Sequence, residues 1–220
     1  MLSLDLKQMV LQAARSEPAL VRSQVRDRVL ILLFASALIA LTVFFAIGGV
    51  RMGPRPIPLI IATSGGALAF AIAALVIALG RGKSMLGRPR TSILAMAMAT
   101  PAVLLLWKMI WSARYDGMMV EWPTRIGLRC LGWSLLMAAA PLLAMVWARR
   151  RSDPVHPMAT GAGIGVAAGA VSWVFVDLWC PVAFPGHLLI GHVLPIALLA
   201  AAGLWLGARI IAIRARASAP

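Results

Sequence analysis

Six runs of about twenty apolar residues, separated by basic links or by proline- and glycine-rich turns, constrain this chain more than any other feature. A run of that length matches the roughly 30 Å hydrocarbon core of a bilayer. Backbone inside lipid must satisfy its own hydrogen bonds, which leaves helices. The runs lie at roughly 29–50, 57–79, 91–112, 126–148, 158–179 and 188–211. Composition agrees, since 61% hydrophobic and 13% charged residues are far from the balance of a soluble globular domain. The expected fold class is therefore all-α: a polytopic membrane protein with six transmembrane helices. Its parts are an N-terminal segment 1–28, a transmembrane bundle 29–211 and a tail 212–220. Pro101, Pro141 and Pro195 fall inside the third, fourth and sixth spans, where neighbouring helices tolerate the lost hydrogen bond and the kink.

A formal charge of +14 raises the question of nucleic acid, and the placement of the 21 basic residues answers it. Fifteen fall on one side: Lys7, Arg15, Arg22, Arg26 and Arg28; Arg81, Lys83, Arg88 and Arg90; Arg149, Arg150 and Arg151; and Arg209, Arg214 and Arg216. By the positive-inside rule both termini are expected in the cytoplasm. Topology accounts for most of the charge, and no basic face is left over for direct nucleic-acid binding.

In residues 1–28, Leu6, Met9, Val10 and Ala13 recur at helical spacing behind Ser3 as an N-cap, and Pro18 ends the pattern. A helix of about ten residues is marginal alone in water. It is read either as a membrane-surface anchor or as a groove-binding helix that captures a cytoplasmic protein. The segment runs into an ordinary span without a small-residue cleavage site, unlike a signal peptide. Two glycine patterns carry no nucleotide chemistry: Gly82-Lys83-Ser84 lacks the earlier glycine and the strand of a phosphate-binding loop, and 161–166 fails the dinucleotide spacing. Gly161, Gly165 and Gly169 instead form a small-residue ridge for close helix contact, as do Thr63, Ser64, Gly65 and Gly66. If the ridge of the fifth span meets the fourth, Cys130 and Cys180 come together.

Chemistry concentrates in Asp177-Leu-Trp-Cys180-Pro-Val-Ala-Phe-Pro-Gly-His187-Leu-Leu-Ile-Gly-His192, a turn between two apolar runs. Both cysteines of the chain, Cys130 and Cys180, are expected at one membrane face, the oxidising one in a bacterium. Arg125 and Arg129 would favour a Cys130 thiolate, and thiolate with imidazole is a ligand set for zinc or copper. Cys130, Cys180, His187 and His192 are thus candidates for a disulfide, for a metal site, or for interfacial histidines beside packed cysteines. On a regular helix positions five apart point about 140° away from each other; Pro185-Gly186 is expected to place His187 before the helix, free to fold back towards His192. Lys108, between Trp107 and Trp111, either snorkels to the surface with its aromatic belt or pairs with Asp177 inside the bilayer.

The stretch Cys130-Leu-Gly-Trp-Ser-Leu-Leu-Met-Ala-Ala-Ala-Pro-Leu-Leu-Ala, the glycine-rich fifth span, and Trp179-Cys180-Pro181 leading to Gly191-His192-Val-Leu-Pro195 resemble the NrsF-like bacterial membrane anti-sigma factors. The resemblance covers nearly the whole chain. It implies that the segment up to about Arg28 binds an extracytoplasmic-function sigma factor at the inner membrane. It further implies that Cys130 and Cys180 help to detect a stress such as an oxidant or a metal, and that the protein is not an enzyme. Where many relatives carry acidic residues after Cys-Pro, this chain has Val182-Ala183-Phe184 and then two histidines, which makes a metal or histidine-based variant of the signal worth testing. The competing reading is a small membrane carrier or redox protein that binds a metal, haem or quinone through the same residues. A carrier should work without residues 1–20, and a sigma-sequestering protein should not.

Overall fold

The computed structural model describes residues 22–50, 55–79, 89–115, 127–150 and 156–212. They form α1 (Arg22–Ala46), α2 (Ile57–Leu79), α3 (Arg90–Ser112), α4 (Leu128–Ala148), α5 (Pro157–Trp179) and α6 (Pro185–Ile211), and no β-strand occurs among the described residues. Five of these helices, α2 to α6, are long and apolar enough to cross a membrane; α1 carries a shorter apolar stretch, Leu30–Ala46. The first expected span therefore ends early. Its helix stops at Ala46, where Gly48 and Gly49 adopt φ of 111° and 61° and their N–H groups close on the carbonyls of Phe45 and Phe44. Left-handed glycines that return hydrogen bonds to the last turn are a standard helix stop.

Helix α5 is the centre of the bundle. In its apolar window 78% of residues are buried, against 28% to 50% in the other four long helices, and it packs against α2, α3, α4 and α6. Its glycines and alanines make this feasible, because helices that lack large side chains let several neighbours approach at once. The ridge faces α6, not α4. A methyl group at Gly161 would overlap the Gly203 carbonyl, one at Gly165 the Leu199 carbonyl, and one at Gly169 would crowd Ile196. The cysteines nevertheless meet, because α4 packs on a different side of α5 and α1 packs on α4. Phe44, Cys130, Met137, Val176, Trp179 and Cys180 form one buried apolar cluster there.

Helix α6 is not uniformly α-helical. It begins with Pro185–Leu188, widens into a π turn over Leu189–Val193, returns to α-helix over Leu194–Leu206 and widens again over Gly207–Ile211. The first widening has a local cause in Pro195. That residue has no N–H to give the Gly191 carbonyl four positions earlier, and its ring would clash there in a regular helix. The π turn relieves the clash, with the Leu194 N–H bonded to the Leu189 carbonyl, and the Ser134 hydroxyl of α4 donates to the Gly191 carbonyl at 3.3 Å.

Candidate functional site

At the end of the bundle where α5 passes into α6, three segments bring four side chains together. Cys130 comes from the first turn of α4, Cys180 caps α5, and His187 and His192 lie on α6. One ligand atom from each, Sγ or a ring nitrogen, lies within 4.8 Å of all the others. His187 Nε2 sits between the sulfurs, 3.4 Å from Cys130 Sγ and 3.2 Å from Cys180 Sγ. Neither cysteine is joined in a disulfide. All four residues are buried, none more than 3% exposed.

The histidines reach each other by a different route from the one expected. His187 is not outside the helix but inside its first turn, and the π turn supplies the change of register. A π turn bonds each residue to the fifth before it, which brings positions five apart near one face. The rings of His187 and His192 consequently lie 5.8 Å apart, centre to centre. Glycines allow the helices to close on the cluster. Gly127, at φ 88°, opens α4 where an added methyl would fall 2.9 Å from the His187 carbonyl, and a methyl on Gly191 would fall 2.9 Å from Cys130 Cβ.

His192 is the least satisfied member. It is 2% exposed, yet neither ring nitrogen has a hydrogen-bond partner. Its ring meets Trp173 in a T-shaped contact at 5.0 Å. The Cys180 thiol is held well below its ordinary range, first by hydrogen bonding from Cys130 and then by the neighbouring His187 and His192 rings, against the opposing effect of burial. Arg129 is exposed on the first turn of α4. Arg125 lies outside the described residues, as do Leu6, Met9, Val10 and Ala13.

One turn before Cys180, Asp177 carries a second buried polar set. Lys108 Nζ of α3 lies 2.6 Å from Asp177 Oδ1, at 2% and 0% exposure. The other carboxylate oxygen accepts from the hydroxyls of Thr63 at 2.9 Å and Ser64 at 2.6 Å, both on α2. Arg55, just before α2, donates to the carbonyls of Asp177 at 2.6 Å and Leu178 at 2.8 Å. It thereby caps the carbonyl end of α5, where a cation also complements the helix dipole. Burial pushes the Arg55 guanidinium down from its ordinary range, and the Asp177 charge opposes this. Trp107 does not face an interface freely. Its indole N–H donates to the Ala62 carbonyl at 2.9 Å, and its ring fills the space left by Gly66. Thr63, Ser64 and Arg55 are the site neighbours that sequence reasoning missed. In the sequence Thr63 and Ser64 stand out only as small packing residues, and nothing singles out Arg55 from the other basic residues. The signal available in the sequence was an unbalanced intramembrane Asp177, which needs more partners than one lysine.

A family model described as NrsF, negative regulator of sigma F, matches residues 13–212. The chain belongs to the NrsF family. No curated protein and no solved structure matches it. Membership implies negative regulation of a sigma factor and a sigma factor as partner. The NrsF match spans every described helix, so the Cys/His cluster and the Lys108–Asp177 pair both lie within the family region.

Proposed function

We propose that this protein is an anti-sigma factor of the bacterial inner membrane that holds an extracytoplasmic-function sigma factor through residues 1–28 and responds to an oxidant or a metal at the Cys130, Cys180, His187 and His192 cluster. The single observation that carries the regulatory part is the NrsF match over residues 13–212. The sensing part is supported by the chemistry of the cluster. Two thiols and two imidazoles within 4.8 Å, buried together under apolar side chains, can respond by forming a disulfide or by capturing an ion.

In this reading α1 completes a sixth span, 29–211 is the bundle, 212–220 is a cytoplasmic tail, and both termini face the cytoplasm. The asymmetric distribution of basic residues supports that orientation, and it puts the cluster at the periplasmic end. Leu6, Met9, Val10 and Ala13 form the sigma-binding face. Chemistry at the cluster ties α4, the α5–α6 link and α6 in one arrangement, and the signal reaches the opposite end as a change in how these helices pack. A 100-fold change in partner affinity requires the two arrangements to differ by about 2.7 kcal/mol in their affinity for the sigma factor. One disulfide or one metal site is of that order.

The test is a membrane pull-down from the native bacterium with the full chain and with a version lacking residues 1–28. The expected result is a sigma factor retained by the full chain alone. Equal retention by both versions, or no sigma factor with either, refutes the reading and redirects attention to a carrier or redox role.

A further inference from the structure

We infer that Cys130, Cys180, His187 and His192 form a four-coordinate site for a divalent d10 cation of the zinc class, held as a resident ion. The inference deepens the sensing role proposed above, and for its regulatory consequence it rests on that role.

Three observations carry it. The first is distance. A tetrahedral zinc with Zn–S of about 2.3 Å and Zn–N of about 2.0–2.1 Å sets a sulfur and a nitrogen roughly 3.6 Å apart. The two sulfur-to-His187 separations are 3.4 and 3.2 Å, and no pair in the set exceeds 4.8 Å. The second is the state of His192. A hydrogen-bond cluster accounts for Cys130, His187 and Cys180, but it leaves His192 buried with both ring nitrogens unpartnered. A buried polar group without a partner costs about 1–3 kcal/mol. A cation at the centre of the set takes one nitrogen as ligand, and the T-shaped contact with Trp173 packs the ring beside it.

The third is charge. The four side chains are buried, so an uncompensated charge there is costly. Two thiolates and two neutral imidazoles balance a divalent ion. Asp177, one turn before Cys180, is already committed to Lys108, Thr63 and Ser64 and is not free to serve as a ligand. Four protein ligands fill a tetrahedron with no open position, which is the form of a structural zinc site and not of a catalytic one. Loading replaces two thiol protons with one cation and moves no electrons. While the ion is held, both sulfurs are engaged and cannot join to each other, so the resident ion also guards against the disulfide.

The test uses the full-length protein purified in detergent under reductant, stripped with a chelator and titrated separately with zinc chloride and cobalt chloride. One ion per chain is expected, with the ligand-field bands of tetrahedral cobalt and a thiolate-to-cobalt charge-transfer band, both displaced by zinc. His192→Gln should weaken cobalt binding by more than the roughly 10–100-fold that a supporting hydrogen-bond partner is worth. His192→Cys, which restores a donor, should retain one cobalt with stronger charge transfer. Absence of the cobalt spectrum in the wild type, or unchanged affinity in His192→Gln, overturns the inference. Loss of binding in both variants also overturns it, because the imidazole would then matter for packing and not as a donor. Sigma-factor retention is read on the same preparations. A chain that retains the sigma factor but binds no cobalt refutes the metal site alone, and one that binds cobalt but retains no sigma factor refutes the anti-sigma reading alone.

Discussion

Replacing Lys108 with methionine removes the cation that faces Asp177 while keeping a side chain of similar length in the same packed position. At the observed 2.6 Å separation, two unit charges attract by about 6 kcal/mol at an effective dielectric of about 20. Much of that offsets the cost of taking both groups out of water, so the useful quantity is the penalty for stranding one of them. Removing one partner of a buried pair costs about 3–5 kcal/mol, and the hydroxyls of Thr63 and Ser64 remain to soften the loss on the carboxylate. Lys108→Met should therefore fall near the lower end, about 3 kcal/mol. Asp177→Asn should cost at least as much, because the 2%-exposed ammonium is then left facing a neutral amide. The double variant should recover most of the loss, giving a coupling of at least about 2 kcal/mol. Denaturant unfolding of the detergent-solubilised full chain, followed by tryptophan fluorescence, supplies all four corners of the cycle. Single variants within about 0.5 kcal/mol of wild type, or a double variant whose loss equals the sum of the singles, would refute the claim that this pair holds α3 to α5.

Other perturbations probe the geometry around it. Gly165→Val drives a side chain into the backbone of Leu199 and should cost at least the 1–3 kcal/mol typical of overpacking, roughly, whereas Gly132→Ala meets open space and should be neutral or stabilising by up to about 1 kcal/mol; thermal unfolding of the two variants side by side decides it. Arg55→Met strips the cation from the carbonyls of Asp177 and Leu178, a loss of about 1.5–3 kcal/mol for bonds from a charged donor, and should speed maleimide labelling of Cys180 as the end of α5 frays. Gly127→Ala forces an L side chain to φ 88° against the His187 carbonyl, for about 1–2 kcal/mol of backbone strain, and should weaken cobalt binding by shifting His187.

The helices were legible because lipid leaves one solution for an apolar run of bilayer length, and four expected spans, 57–79, 91–112, 126–148 and 158–179, lie within two residues of α2 to α5 at each end. The ends of α1 and α6 were less legible, since hydropathy measures what suits lipid and not where hydrogen bonding stops. Ile47 is as apolar as its neighbours, but the left-handed glycines at 48 and 49 end the helix first. Packing order was not legible at all. The ridge of Gly161, Gly165 and Gly169 announces a close neighbour without naming it, and the glycines that complete the fit, Gly203 and Gly207, lie on α6.

The cluster shows why composition can bring the right residues into view while missing how they are joined. Cys130, Cys180, His187 and His192 stood out as the few soft or titratable side chains in an aliphatic sequence, but helical arithmetic set the histidines about 140° apart. The feature that changes this arithmetic is three residues beyond His192. Pro195 leaves the Gly191 carbonyl without its usual donor, Ser134 takes that carbonyl from α4, and the intervening turn widens to π geometry. That widening turns His192 toward His187 and the two sulfurs. A proline spaced four residues after a glycine, with a histidine between them, thus does in one helix what a loop was expected to do. Pro195 acts here less as a flexible hinge than as the residue that fixes ligand register. Its replacement by leucine should let α6 return to a regular helix, gain an N–H bond to the Gly191 carbonyl, and rotate His192 away from the cluster. The resulting chain would be at least as stable as wild type in the absence of metal and poorer at holding cobalt. A Pro195→Leu chain that bound cobalt as tightly as wild type would separate the π turn from the proline and overturn this account of the site.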